Sequence, residues 1–231
     1  MYGSYEIPVR VEGEVTITVE EGGDGFVYRR EGAGEAVEKL LLAQRRRLLL
    51  SPVEPVNLPK TITPLLLVEF SSPVVLEPGA ERRIFLKFPV EVGVFVSSGA
   101  ERELLDIFTL AAQKYTLYGD LGTGSICRYW RSDVYPSLPE VEPLREGVLE
   151  LRLENTSPAW AEVGRAVFSA YGMKIHHSGS IASMRGRMRI LGESSAETHF
   201  YDSPLLEGML KAPELFPAGR RSGKYTMGAG L

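Results

Sequence analysis

Lys114-Tyr-Thr-Leu-Tyr-Gly-Asp-Leu-Gly-Thr-Gly-Ser-Ile-Cys-Arg-Tyr-Trp130 lies at the midpoint of the 231-residue chain, and its reading decides the fold. Two runs rich in aromatic and β-branched residues flank a turn that carries Gly119, Gly122 and Gly124. Such side chains fit a pleated surface, and glycine tolerates the backbone angles of a tight turn, so the stretch predicts a β-hairpin. It also holds the only cysteine and one of the two tryptophans.

Outward from this hairpin the apolar residues keep a period of two. Ile7, Val9 and Val11 share one strand face, and Val15, Ile17 and Val19 another. Phe26 to Arg30, Leu48 to Val56, Pro64 to Phe70, Val74 to Leu76, Arg83 to Pro89 and Val92 to Val96 read as further strands or extended chain between Pro/Gly turns. Beyond the hairpin, Leu149, Leu151 and Leu153 point opposite to Glu150, Arg152 and Glu154. Met184, Met188 and Ile190 likewise oppose Arg185, Arg187 and Arg189. Trp160 to Ala170, Gly172 to His177 and Ala196 to Tyr201 complete the set.

Three stretches break the period. Val37, Leu40, Leu41 and Gln44 stand at helical spacing. Ser98 and Glu101 form a capping-box pattern ahead of Leu104, Leu105 and Phe108, predicting a helix over about 99–110, although Ile107 to Leu110 also suits a strand. Ser203-Pro204 predicts an N-cap and first turn for a short helix over Leu205 to Lys211. The whole predicts a mainly β protein of two β-sandwich, immunoglobulin-like units with a few short helices. The first unit spans 1–98, and the second, 99–231, contains hairpin 114–130 and the short C-terminal helix. Lys114-Tyr-Thr-Leu and Lys224-Tyr-Thr-Met echo one another, a match too short to establish duplication.

Composition narrows the functional classes. A net charge of −4 and a single basic triplet, Arg45-Arg46-Arg47, argue against a nucleic-acid coat protein. No long uncharged apolar run predicts a membrane span, and Met1 to Pro8 lacks the pattern of a secretory signal. One cysteine permits no internal disulfide, which fits the cytoplasm. Two Asn, two Gln and one Cys in the whole chain point to a thermophile.

Candidate sites are few. His176 or His177, together with Glu197 and His199 two residues apart on one strand face, would make a two-histidine, one-carboxylate centre for zinc or iron if their strands paired. Otherwise these are ordinary strand histidines. Tyr118, Arg128, Tyr129 and Trp130 would stack a base or sugar if exposed, or knit two sheets together if buried. Asp120-Leu-Gly-Thr-Gly lacks the Lys-Ser/Thr ending of a phosphate loop and reads as the hairpin turn. Cys127 has no base at its alternation partners Ser125 and Tyr129, so it reads as structural. The arginine row 185–189 and the row Glu150, Arg152, Glu154 are matched for cross-strand ion pairing.

Pro52 to Pro59, Phe88 to Val94, Lys114 to Gly119, Ile126 to Trp130 and the ending at Met227 to Leu231 together resemble an archaeal family known as a domain of unknown function. The resemblance spans nearly the whole chain. It implies an archaeal, cytoplasmic protein, and it assigns no activity and no site residues. With no convergent catalytic signature and several aromatic strands, the chain reads as a non-catalytic binding or scaffold protein that holds a protein partner or itself through a sheet face. The alternatives are a metal-dependent protein at the His/Glu cluster, or a small-ligand or carbohydrate binder at the aromatic patch.

Overall fold

A computed structural model describes residues 1–42, 47–58, 62–98 and 101–217. In chain order the strands are β1 (Gly3–Glu6), β2 (Val9–Val11), β3 (Thr16–Gly22), β4 (Gly25–Glu31), β5 (Val37–Leu41) and β6 (Arg47–Val53). There follow β7 (Leu65–Leu76), β8 (Glu81–Pro89), β9 (Glu91–Ser98), β10 (Glu101–Phe108), β11 (Tyr115–Tyr118) and β12 (Ser125–Ser132). The last are β13 (Glu146–Asn155), β14 (Ala161–Ser169), β15 (Ile175–Ser178), β16 (Ile181–Gly192), β17 (Ser195–Phe200) and β18 (Leu210–Lys211). The fold is mainly β, as the alternation predicts.

The central stretch is a hairpin. β11 and β12 pair antiparallel from Tyr115 opposite Arg128 to Tyr118 opposite Ser125. Gly119 takes a φ of +96°, and a Cβ on Gly124 would meet the carbonyl oxygen of Asp120 at 2.5 Å, so this turn needs glycine at both positions.

Four sheets result, ordered β1-β6-β9-β10, β2-β3-β4-β5, β11-β12-β7-β14 and β18-β15-β16-β13-β8, with β17 also on β16. The first two are layered: Tyr28 and Arg30 of β4 reach across to Asp106 of β10. The other two are layered as well, with Phe168 of β14 against Phe200 of β17 at 5.4 Å between ring centres. Leu149, Leu151 and Leu153 lie in a single apolar core with Leu66, Val68 and Phe168, and full burial of each leucine is worth about 1.5–3 kcal/mol. The division expected at residue 98 falls between the paired strands β9 and β10. β7 and β8, from the first half, pair with β12 and β13 of the second.

The three expected helices are absent from the described residues. The 35–44 stretch forms edge strand β5, where Glu38 lies opposite Arg29 and ion-pairs with it at 2.7 Å, while residues 43–46 lie outside the description. In β10 the adjacent Leu104 and Leu105 sit at a β-bulge, where one extra residue imitates helical spacing. Leu205 to Lys211 is turns and β18, and Ser203 accepts a hydrogen bond from Arg185 at 3.1 Å. The helical turn that does form is the 3-10 segment Ala170–Gly172. Arg45, Arg46 and the Lys224 echo lie outside the described residues.

Candidate ligand-binding cleft

The structure does not bring the histidines together. β15 and β17 both pair with the same edge of β16, one after the other, and not with each other. His176 lies opposite Ser183 and His199 opposite Arg187, so four residues of β16 separate them, about 13 Å at strand rise. His177 faces the other side of the sheet, against the Tyr2 ring at 5.3 Å. His176 sits 3.7 Å from Asp202, and Glu197 lies 3.9 Å from Arg189. Burial lowers the pKa of both His176 and His177, which favours neutral imidazoles at pH 7. Among the described residues no three His, Cys, Asp or Glu side chains are grouped to hold a metal.

The aromatic patch divides between the two faces of its sheet. Arg128 and Trp130 point into the main core, while Tyr118 and Tyr129 pack on Leu65, Leu67 and Cys127 on the other face. These four residues therefore form no common exposed platform. Arg128 is 0% exposed, as is its partner Glu91, 3.5 Å away. The guanidinium also donates to the carbonyls of Leu58 at 3.2 Å and Ala112 at 3.3 Å. Glu91 accepts the N–H groups of Asn57 at 2.9 Å and Leu58 at 3.3 Å, yet burial still pushes its carboxyl up to about 7. This cluster fastens loop 54–58 to two sheets. Cys127 is buried, and burial pushes its thiol up to about 11, which favours the protonated form over the thiolate. The arginine row is neutralised as its register predicts, Arg185 to Glu150 at 2.9 Å and Arg187 and Arg189 to Glu154 at 3.7 and 3.8 Å.

A cleft opens elsewhere, where β14 and the β16–β17 hairpin diverge at one end of the second sandwich. Its floor comes from inward-facing positions: Val163 of β14, Met188 and Ile190 of β16, and Ala196 of β17, all buried. The cavity holds about 270 Å³. Asn155, fully buried behind the rim, holds it in place. Its side-chain amide donates to the carbonyls of Leu76, Glu77 and Ala159, and its oxygen accepts from the backbone N–H and the hydroxyl of Ser157. The bonds to Ala159 and Ser157 fix the turn that carries Trp160, and those to Leu76 and Glu77 tie that turn to the end of β7. The indole of Trp160, 67% exposed, stands beside the opening.

Glu162 and Glu193 are exposed on the rim, while the Arg165 guanidinium lies 5.7 Å above the Tyr118 ring. The opening is thus apolar within and slightly acidic at its edge. The sequence points to aromatic binding at Tyr118, Arg128, Tyr129 and Trp130, and Trp160 reads there only as the start of a strand. The signal in the sequence was Asn155-Thr-Ser-Pro-Ala-Trp160, an Asx turn ending in a large aromatic.

A family model described as a protein of unknown function, DUF432, matches residues 1–228. The chain belongs to that family. No curated protein and no solved structure matches it. No helix among the described residues is long and apolar enough to cross a membrane.

Proposed function

We propose that this DUF432 protein is a non-catalytic binding protein whose ligand seat is the cleft beside Trp160. The observation that carries the reading is the combination of a buried apolar floor with a large aromatic left exposed at its mouth. The volume suits a small molecule with an apolar body. The carboxylates of Glu162 and Glu193 favour one that is uncharged or cationic over an anion, and the Trp160 ring face adds attraction for a cation. The single buried thiol supports a cytoplasmic location. The scarcity of Asn and Gln, with the ion pairs along β13 and β16, supports a thermophilic source, and the family resemblance an archaeal one.

The test uses the uncharged fluorophore N-phenyl-1-naphthylamine with a Trp130→Phe protein, in which Trp160 is the sole tryptophan. Saturable binding at one site is expected, with energy transfer from Trp160. In the otherwise native protein, Trp160→Ala is expected to weaken binding about tenfold or more while the melting temperature moves little, because the ring is mostly exposed. Absence of saturable binding, or equal binding by Trp160→Ala, overturns the proposal.

A further inference from the structure

The central hairpin has a second property, independent of the cleft. β11 is the edge of its sheet, pairing with β12 on one side and with no other strand among the described residues. The Tyr129 N–H donates to the Lys114 carbonyl at 2.8 Å, which makes 114 and 129 a hydrogen-bonded pair. By antiparallel alternation, Thr116 and Tyr118 face β12 in the same way, and Tyr115 and Leu117 direct their backbone N–H and C=O groups outward.

The side chains on this edge are unusually apolar. Leu117 and Ile126 are cross-strand partners, 40% and 51% exposed, and Leu121 at the hairpin tip is 97% exposed. Edge strands normally carry charges that discourage pairing. β5 has Glu38 and Lys39, β10 has Glu101, Arg102 and Glu103, and β2 has Arg10. β11, by contrast, reads Tyr-Thr-Leu-Tyr.

From this we infer that β11 pairs antiparallel with β11 of a second copy of the chain, about a two-fold axis at Leu117. Three independent features select that partner and that register. The outward backbone groups of β11 fall at Tyr115 and Leu117, and centring on Leu117 sets the Leu117 groups of the two copies against one another. The same register joins the two Leu117–Ile126 pairs into one apolar strip across the axis. It also brings Lys114 of each copy to the hairpin turn of the other, which carries Asp120. Both are exposed, and neither has an ion-pair partner among the described residues, so the complementarity arises only in the pair. A C2 contact of this kind is self-closing and leaves no free edge on β11.

Light scattering and sedimentation over a range of concentrations test this on the full chain. A dimer is expected, and Leu117→Asp, which opposes two carboxylates at the axis, should make it a monomer with its melting transition retained. Lys114→Asp should raise the dimer dissociation constant about tenfold, through like charges brought near one another. The double swap Lys114→Asp/Asp120→Lys should restore it. Leu117→Cys should cross-link in air to a species of twice the chain mass, because paired strand residues lie about 5.5 Å apart at Cα, within disulfide reach. A monomer at every concentration overturns the inference. So does a dimer that ignores the charge swap and does not cross-link through Leu117→Cys.

Discussion

Replacing Asp106 by alanine is expected to destabilise the protein by about 3–5 kcal/mol, a large share of the stability of an ordinary domain. Asp106 lies on β10 and is the joint between the first two sheets. Its Oδ2 accepts from Arg30 Nε at 2.6 Å and from the Tyr28 hydroxyl at 2.8 Å, with both ion-pair partners nearly buried. Truncation leaves the Arg30 guanidinium without its counter-charge against Phe108, 5.6 Å from that ring centre, and leaves a buried phenol without an acceptor. Arg10, exposed beside Glu12, provides the control: Arg10→Ala is expected to leave the urea midpoint nearly unchanged. Urea unfolding of both variants checks the pair, and equal, small losses would show that the two sheets are not held by this joint.

The contribution of Glu91 to stability should fall as pH rises from about 4.5 to about 7. The unfolded chain releases this proton near the ordinary glutamate value of 4.5, whereas in the fold burial pushes the carboxyl up to about 7. Between those values the folded protein binds more protons than the unfolded chain, so stability is full below about 4.5 and declines through about 7. The gap corresponds to roughly 3 kcal/mol. Glu54, also raised by burial, adds in the same direction. His176 and His177 act oppositely: their lowered values withdraw stability as pH falls below the ordinary histidine range. The informative quantity is therefore the difference between the parent and Glu91→Gln, measured by urea unfolding at several pH values. That difference should change by roughly 3 kcal/mol across the window, and a flat difference would place the Glu91 carboxyl at its ordinary value.

Side-chain alternation made most strands legible because one face of each sheet is buried. Leu149, Leu151 and Leu153 against Glu150, Arg152 and Glu154 is the clearest case, and the arginines of β16 proved to be the counter-charges of that polar face. The errors have physical sources. β5 is an exposed edge with little inward face to set a period, and β10 carries a bulge that puts Leu104 and Leu105 out of step. The Ser203-Pro204 start led to no helix because the Ser203 hydroxyl serves Arg185 instead.

Sites were less legible than strands, since a site depends on which strands become neighbours. The histidine proposal needed β15 and β17 to pair, and both chose β16. Glu91 and Glu54 stand as lone carboxylates within apolar runs, Phe88 to Val94 and Pro52 to Val56, but their partners, Arg128 for Glu91 and the N–H groups of Leu215 and Phe216 for Glu54, lie far along the chain. The cleft was hidden because Val163, Met188 and Ala196 look like any core residue until the two layers part around them.

Small-molecule binding depends on the cleft floor, where Met188 is the one methionine lining the cavity among the described residues. A methyl spectrum of protein carrying 13C-methyl methionine, recorded as 1-naphthol is added, tests it most directly. The Met188 resonance should move progressively to saturation through the ring current of the bound molecule, while Met184, buried elsewhere in the core, stays in place. A Met188 resonance that does not move, or one that moves no more than Met184, would contradict the account.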